Sequence, residues 1–412
     1  MGKDFLHVGT RVWQPLGPAE RVFLLNGLRA AGDPPLPPAT LDWATLTRRL
    51  RSDGLAPHFY RLYRDTPELL PADVYKALKH AYYQNASANH IRLQELRRLG
   101  GQLGAAGIRL LVLKGAALAM NVYGDPALRF MGDVDVVAPP TQTQAALACL
   151  LAEGYTLHDD ALTNPALLRE KGWHLRLTRP VRGKEIELEF HWPLRERVLV
   201  SQTAELDVQQ LWAAAVPLDE AANLWQPAPA HTLLYLCLHT GLQHRFADLG
   251  LRQYVDVDLV VRRCGDAPGF WPAFVTAARA ARARHVSYFC LHLAQQMLDT
   301  PLPAGALAPL RPPRWKRRLF GRRFRIADAA NRTRAFYDRR RLWWRLLTLD
   351  RPGDVLAGPW RQLFPGRAYL ASYYGTQRPA HLAAYAAWHP LHALARAGRR
   401  RLQDVRSRGR GA

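Results

Sequence analysis

The chain has 412 residues, 48% hydrophobic and 22% charged, a balance that excludes an intrinsically disordered polypeptide and supplies a sizeable core. Its formal net charge is +23, from 57 Lys and Arg against 34 Asp and Glu. The excess is concentrated at one end, because residues 311–412 hold 25 of the basic and five of the acidic side chains; such a field attracts polyanions, although arginine-rich solvated helices have the same composition.

In chain order, residues 1–38 read as an irregular segment ending in the PPLPP stretch at 34–38. Residues 39–104 form a helical region. Asp42-Trp43 opens a helix, GLAPHFYRLYRD supplies another, and a long amphipathic run from Pro71 to Gly104 places Val74, Leu78, Tyr82, Ile91, Leu93, Leu96 and Leu99 at helical spacing. Texture changes over 105–200. IRLLVLKG is a short apolar strand stopping at Gly115, and AALAMNVYG is a helix closed by Gly124. DVDVVA then alternates with period two, sending Val134 and Val136 to the core and Asp133 and Asp135 to the opposite face. TQTQAALACLLAEG reads as a helix, and HLRLTRP and EIELEFHW as antiparallel strands meeting near Arg182-Gly183-Lys184. Residues 201–310 are mainly helical, and 311–412 form a basic, Arg- and Trp-rich helical tail. The pattern predicts an α+β fold, a small mixed β-sheet core flanked by helical regions.

Cys149, Cys237, Cys264 and Cys290 are widely spaced among apolar residues without a CxxC pair, as buried thiols in a reducing cytoplasm are. No signal-peptide core opens the chain, and no apolar run approaches the roughly 20 residues of a spanning helix. His231, His239 and His244 match no zinc spacing and are read as structural. Arg252 and Asp256 are expected to pair at i, i+4, with Asp258 on the same face. The interleaved Arg, Trp and Phe of RPPRWKRRLFGRRFR and RRRLWWRLL read first as an amphipathic protein surface, with nucleic acid or an anionic membrane surface as alternatives.

Three features over 108–192 carry chemistry. Lys114-Gly115 ends a strand at a helix N-terminus, where free N–H groups favour anions and glycine lets a phosphate approach. Asp133 and Asp135, about 7 Å apart by strand rise, repel unless a cation bridges them, and hard oxygen ligands suit Mg²⁺ or Mn²⁺. Glu185, Glu187, Glu189 and His191 share one strand face, so one carboxylate joins the cluster if the strands are neighbours; Glu189 and Glu187 compete for that place. Arg129 is a candidate phosphate clamp or a structural ion-pair partner of a nearby Asp. His191 is expected to orient a carboxylate and Trp192 to pack in the core. No P-loop and no kinase motif set is present.

The stretch LVLKGAALAMNVYGDPALRFMGDVDVVA, with the later acidic-hydrophobic-His-Trp strand, resembles the uncharacterised bacterial nucleotidyltransferases of the polymerase-beta-like superfamily. YQNASANHIRLQEL, HTLLYLCLHTGLQHRFADLGLRQYVDVDLVV and LFPGRAYLASYYG extend the resemblance to roughly residues 40–375. The resemblance implies a metal-dependent enzyme moving a nucleoside monophosphate, AMP by default, from a nucleoside triphosphate to a hydroxyl-bearing small-molecule or protein acceptor. It assigns catalytic and metal roles to Asp133, Asp135 and Glu189 and nucleotide contacts to Lys114, Gly115 and Arg129. The wider superfamily's Gly-Ser pair is replaced by Lys114-Gly115-Ala116. An RNA end as acceptor, docked on the basic tail, and a non-catalytic nucleotide- or partner-binding module are the alternatives.

Overall fold

The computed structural model describes residues 15–30, 32–158, 174–191, 206–247, 250–331, 341–351, 353, 360 and 363–409. Seven strands form one mixed sheet: β1 (Leu110–Val112), β2 (Val134–Val137), β3 (Thr156–Leu157), β4 (His174–Val181), β5 (Lys184–His191), β6 (Val216–Asp219) and β7 (Leu224–Gln226). Their spatial order is β3-β4-β5-β2-β1-β7-β6. β1 runs antiparallel to β2, and β2 parallel to β5, with Asp135 opposite Glu189. The sheet extends past the expected limit at residue 200, because the short hairpin β6–β7 adds itself beside β1, β7 running parallel to it.

The β4–β5 hairpin falls where the alternation predicted it. Val181 pairs with Lys184, and the two connecting residues, Arg182 and Gly183, have φ of +48° and +75°. A two-residue loop with both φ positive suits the right-handed twist of its strands.

The helical pattern of the N-terminal half holds, with one correction. Residues 18–29, expected to be irregular, form helix α1 (Pro18–Arg29), which buries Phe23 and Leu24; Pro18 at its first turn fixes a helical φ. Residues 1–14 lie outside the described residues. Then follow α2 (Trp43–Ser52), capped by the Asp42 carboxylate on the Thr45 N–H at 3.0 Å, α3 (Ala56–Tyr63) and the 34-residue α4 (Ala72–Ala105). α5 (Lys114–Asn121) and α6 (Thr143–Ala152) connect the first strands. After the sheet come α7 (Val208–Ala213), α8 (Pro229–Leu238), which continues as a π-helical turn over His239–Gln243, α9 (Arg252–Cys264), α10 (Phe270–Ala280) and α11 (Arg284–Leu298). The basic region contributes α12 (Arg314–Arg323), α13 (Ile326–Asn331), α14 (Arg341–Thr348), α15 (Arg367–Tyr374) and α16 (Pro379–Gly409).

Period-two alternation divides the core across the sheet. Leu110, Val112, Val134, Val136, Leu188 and Phe190 pack with the second half of α4 and with α6. Leu111, Leu113 and Val137 face the other way, into a large cluster that joins α1–α3 to α8–α12 and Trp344 of α14. Part of the basic tail is thus built into the core. Its Trp344 indole also donates to the Gly241 carbonyl at 3.1 Å.

Candidate active site

On the face of the sheet toward the large helical cluster, β2 and β5 carry acidic side chains where their neighbours carry Leu and Val. The parallel register puts Asp135 beside Glu189. One oxygen from each and a ring nitrogen of His191 lie within 4.8 Å of one another. His191 Nε2 is 2.7 Å from Asp135 Oδ1 and donates to it, since a carboxylate only accepts. His191 thus holds the Asp135 carboxylate and is itself one of the three candidate ligands.

Lys114 completes the cluster. Its ammonium is 2.8 Å from Asp135 Oδ1 and 5.7 Å from the centre of the Tyr235 ring on α8. The residue has φ +42°, a left-handed conformation that costs an L-residue about 1–2 kcal/mol and concentrates at functional sites. The glycine beside it is not the bent residue. A side chain at Gly115 would meet Met131 Cγ at 3.1 Å, a tight approach that the Met131 side chain would have to relieve, and Arg129 Cζ at an ordinary 3.8 Å.

The charges are unevenly satisfied. Burial raises the Asp135 carboxyl, but Lys114 and His191 outweigh it and hold the group well below the ordinary range. Burial, with the charges of Asp135 and Asp133 added, pushes Glu189 up to about 9. Asp133, immediately before β2, is also raised, by burial and then by Asp135, with Lys114 and Arg129 opposing. Asp133, expected as a metal ligand, acts on the pair through its charge but is not among the side chains whose ligand atoms meet within 4.8 Å. A donor set of two carboxylates and an imidazole fits a divalent cation.

Two expected partners are differently engaged. Arg129 is buried, and its Nε and Nη2 both donate to Asp256 at 2.7 Å, while Nη1 donates to the Phe130 carbonyl. Of the two roles foreseen for this residue, the geometry is that of the structural ion pair. Asp256 also accepts from Tyr123 Oη at 2.6 Å. The Arg252–Asp256 pair expected on α9 is thereby displaced, and Arg252 lies over the Phe130 ring at 5.2 Å. Asp258 pairs instead with Arg262 at 2.8 Å. Glu187, the competitor of Glu189, is held by Arg176 of β4 at 2.6 and 2.8 Å. Trp192 lies outside the described residues.

α4 positions the loop that leads into β2. Asn85 donates to the Ala127 carbonyl at 2.5 Å, and Asn89 to those of Pro126 and Arg129 at 2.7 and 2.8 Å. One turn further on, Arg92 enters the site. It is half-buried, its Nε is sequestered without a hydrogen-bond partner among the described residues, and burial lowers its pKa against the opposing charges of Asp133 and Glu187. Composition gave no sign of it, since Arg92 reads as one more polar position on an amphipathic helix. The π-helical turn was missed likewise. His239 stacks on Tyr235 with centroids 6.3 Å apart and meets His244 at 4.4 Å. Burial, and then Lys114, keep His239 well below the ordinary histidine range. Single π-turns inside helices recur at functional sites.

No curated protein and no solved structure matches the sequence. The profile of the uncharacterised nucleotidyltransferase family matches residues 39–299, from α2 through α11 and so across the whole sheet. With that span covered, the chain belongs to the uncharacterised nucleotidyltransferase family.

Proposed function

We propose that the protein transfers a nucleoside monophosphate, AMP by default, from a nucleoside triphosphate to a hydroxyl-bearing small-molecule or protein acceptor, using Mg²⁺ or Mn²⁺. The observation that carries this reading is the pairing of Asp135 and Glu189 on neighbouring strands, with Lys114 at a strained turn on the same carboxylate. Asp133, Asp135 and Glu189 would hold the metal, and His191 would keep Asp135 oriented. A bound divalent ion supplies charge neutralisation at the phosphates and at the attacking oxygen.

The remaining work falls to the chain's own groups. The acceptor oxygen attacks the α-phosphorus, the bond from that phosphorus to the bridging oxygen breaks, and pyrophosphate leaves with the electron pair. Glu189 either completes the metal cluster or, ionised once the cation is bound, accepts the hydroxyl proton. Lys114 and the first-turn N–H of Gly115 are suited to phosphate oxygens. Arg92, a guanidinium without a fixed partner among the described residues, is the better placed of the two arginines for phosphate contact. Arg129, whose donors are already engaged, adds positive potential and shapes the floor. The setting we propose is a reducing cytoplasm, a reading that rests on the cysteine spacing in the sequence. No helix among the described residues is long and apolar enough to cross a membrane.

The test is incubation with labelled nucleoside triphosphates, Mg²⁺ or Mn²⁺, and cell extract, comparing the natural protein with D133N/D135N. Label moved to an acceptor by the natural protein alone is the expected result. Equal transfer by the double variant would remove these residues from the site. Metal-dependent nucleotide binding without transfer to any acceptor would turn the reading to a binding module.

A further inference from the structure

We propose that Arg311, Arg314, Arg317 and Arg318 form a binding groove for the phosphate backbone of single-stranded RNA. Among the described residues, these four line an open concavity of about 730 Å³ at the start of α12. Arg311, Arg314 and Arg318 are exposed and Arg317 is half-buried. No carboxylate among the described residues pairs with any of them. Arg317 Nε donates to the Pro312 carbonyl at 3.2 Å, which fixes that guanidinium in place. Guanidinium planes match phosphate oxygens in pairs, and four gathered without counter-charge repel one another unless an anion enters.

The other face of α12 separates RNA from a bilayer. Lys316 and Phe320 are buried. Phe320 stacks on Phe289 with centroids 4.0 Å apart and on Phe324 at 5.2 Å. The apolar side that an interfacial helix would insert into lipid is therefore consumed by the protein core. What remains outward is arginine, with Trp315 beside it, 47% exposed. An arginine track with a neighbouring half-exposed aromatic, here with the Lys316 ammonium 5.6 Å from its ring centre, is how sequence-tolerant single-strand binders grip backbone and base together.

The buried face of α12 also reaches the segment that follows the π-helical turn. Phe246, just beyond the π-helical turn, packs edge-on against Phe320 at 5.7 Å and against Trp344 at 4.6 Å. α12 is thus seated on the segment that carries His239 and His244. The binding assignment stands apart from the transfer reaction, because it is measured without catalysis.

Fluorescence anisotropy with a labelled 20-nucleotide single-stranded RNA tests the groove. Four phosphate contacts give a slope of log K against log salt of about −2.8, or a loss of about 50-fold in affinity from 50 to 200 mM salt. With R311Q/R314Q/R317Q/R318Q the binding should become weak and nearly salt-independent. R314Q/R318Q should halve the slope, leaving a loss of about 7-fold over the same range. R279Q, an exposed charge on α10, is the control and should change neither. The proposal is overturned if the quadruple variant binds RNA as the natural protein does, or if R279Q weakens binding as much as R314Q/R318Q does. It is also overturned if the four substitutions abolish binding to vesicles of 30% phosphatidylserine while leaving RNA affinity intact.

Discussion

Replacing Asp256 with alanine should be the most damaging single change outside the carboxylate cluster. Three hydrogen bonds of 2.6 to 2.7 Å converge on this side chain, two from Arg129 and one from Tyr123. The Arg129 and Asp256 side chains are only 11% and 4% exposed. Removing one member of a buried pair leaves the other charge without compensation, at a cost of about 3–5 kcal/mol. At a urea m-value of about 3 kcal/mol/M, that lowers the unfolding midpoint by about 1 to 1.7 M with little change in slope. Removing both charges together should be far milder, because an ion pair replaced by apolar groups of similar volume is often close to neutral. Urea titrations followed by circular dichroism on D256A and on R129M/D256M provide the comparison. A loss below about 1 kcal/mol in D256A, or a double variant no more stable than the single one, would refute the idea that this network organises the floor of the site.

Further outcomes follow from the same geometry. Burial lowers His58 to about 4, so the unfolded chain takes up its proton first as pH falls. Its contribution is complete above about 6.5 and is lost between 6.5 and 4, amounting to about 3 kcal/mol; H58F should flatten the fall of Tm over that window, and an equal fall in both proteins would contradict it. Glu189 has its pKa raised to about 9, so its ionisation opposes folding increasingly as pH rises above about 4.5. E189Q should therefore raise the Tm of the metal-free protein at pH 8 while abolishing transfer; a lowered Tm would show that the carboxylate stabilises the fold. R92Q should raise KM for the triphosphate at least 10-fold with no change in Tm, a result that calorimetry and kinetics together can deny. K114M removes the ammonium from Asp135 and should cost at least 100-fold in kcat/KM for the triphosphate; a loss below 10-fold would free Lys114 of any part in phosphate binding.

Much of this site was legible before any coordinates. Alternation in DVDVVA and EIELEFH shows which residues share the face opposite Val134, Val136, Leu188 and Phe190, and the two strands do lie side by side with Asp135 level with Glu189. Their adjacency and parallel direction were not legible, because nothing local to either segment encodes its neighbour. The choice between Glu189 and Glu187 depended on Arg176, a residue on a third strand. Arg129 was a phosphate candidate or an ion-pair member by residue type alone, and only the arrival of α9 supplies Asp256. The β6–β7 hairpin escaped notice because three- and four-residue strands carry too little periodicity to separate from a turn. The helix in residues 18–29 was obscured by the prolines around it, although Pro18 is the residue that begins it.

The two-residue bend at Arg182-Gly183 lies about 20 Å along the strand from Glu189, at roughly 3.3 Å per residue, yet it sets which atoms reach the centre. Inserting or deleting one residue there would slide the strand half a pleat, turning Glu189 and His191 inward and bringing Phe190 to the surface they had occupied. That bend is remote from every reacting atom, but the chemistry would be silenced by a change of one residue in its length.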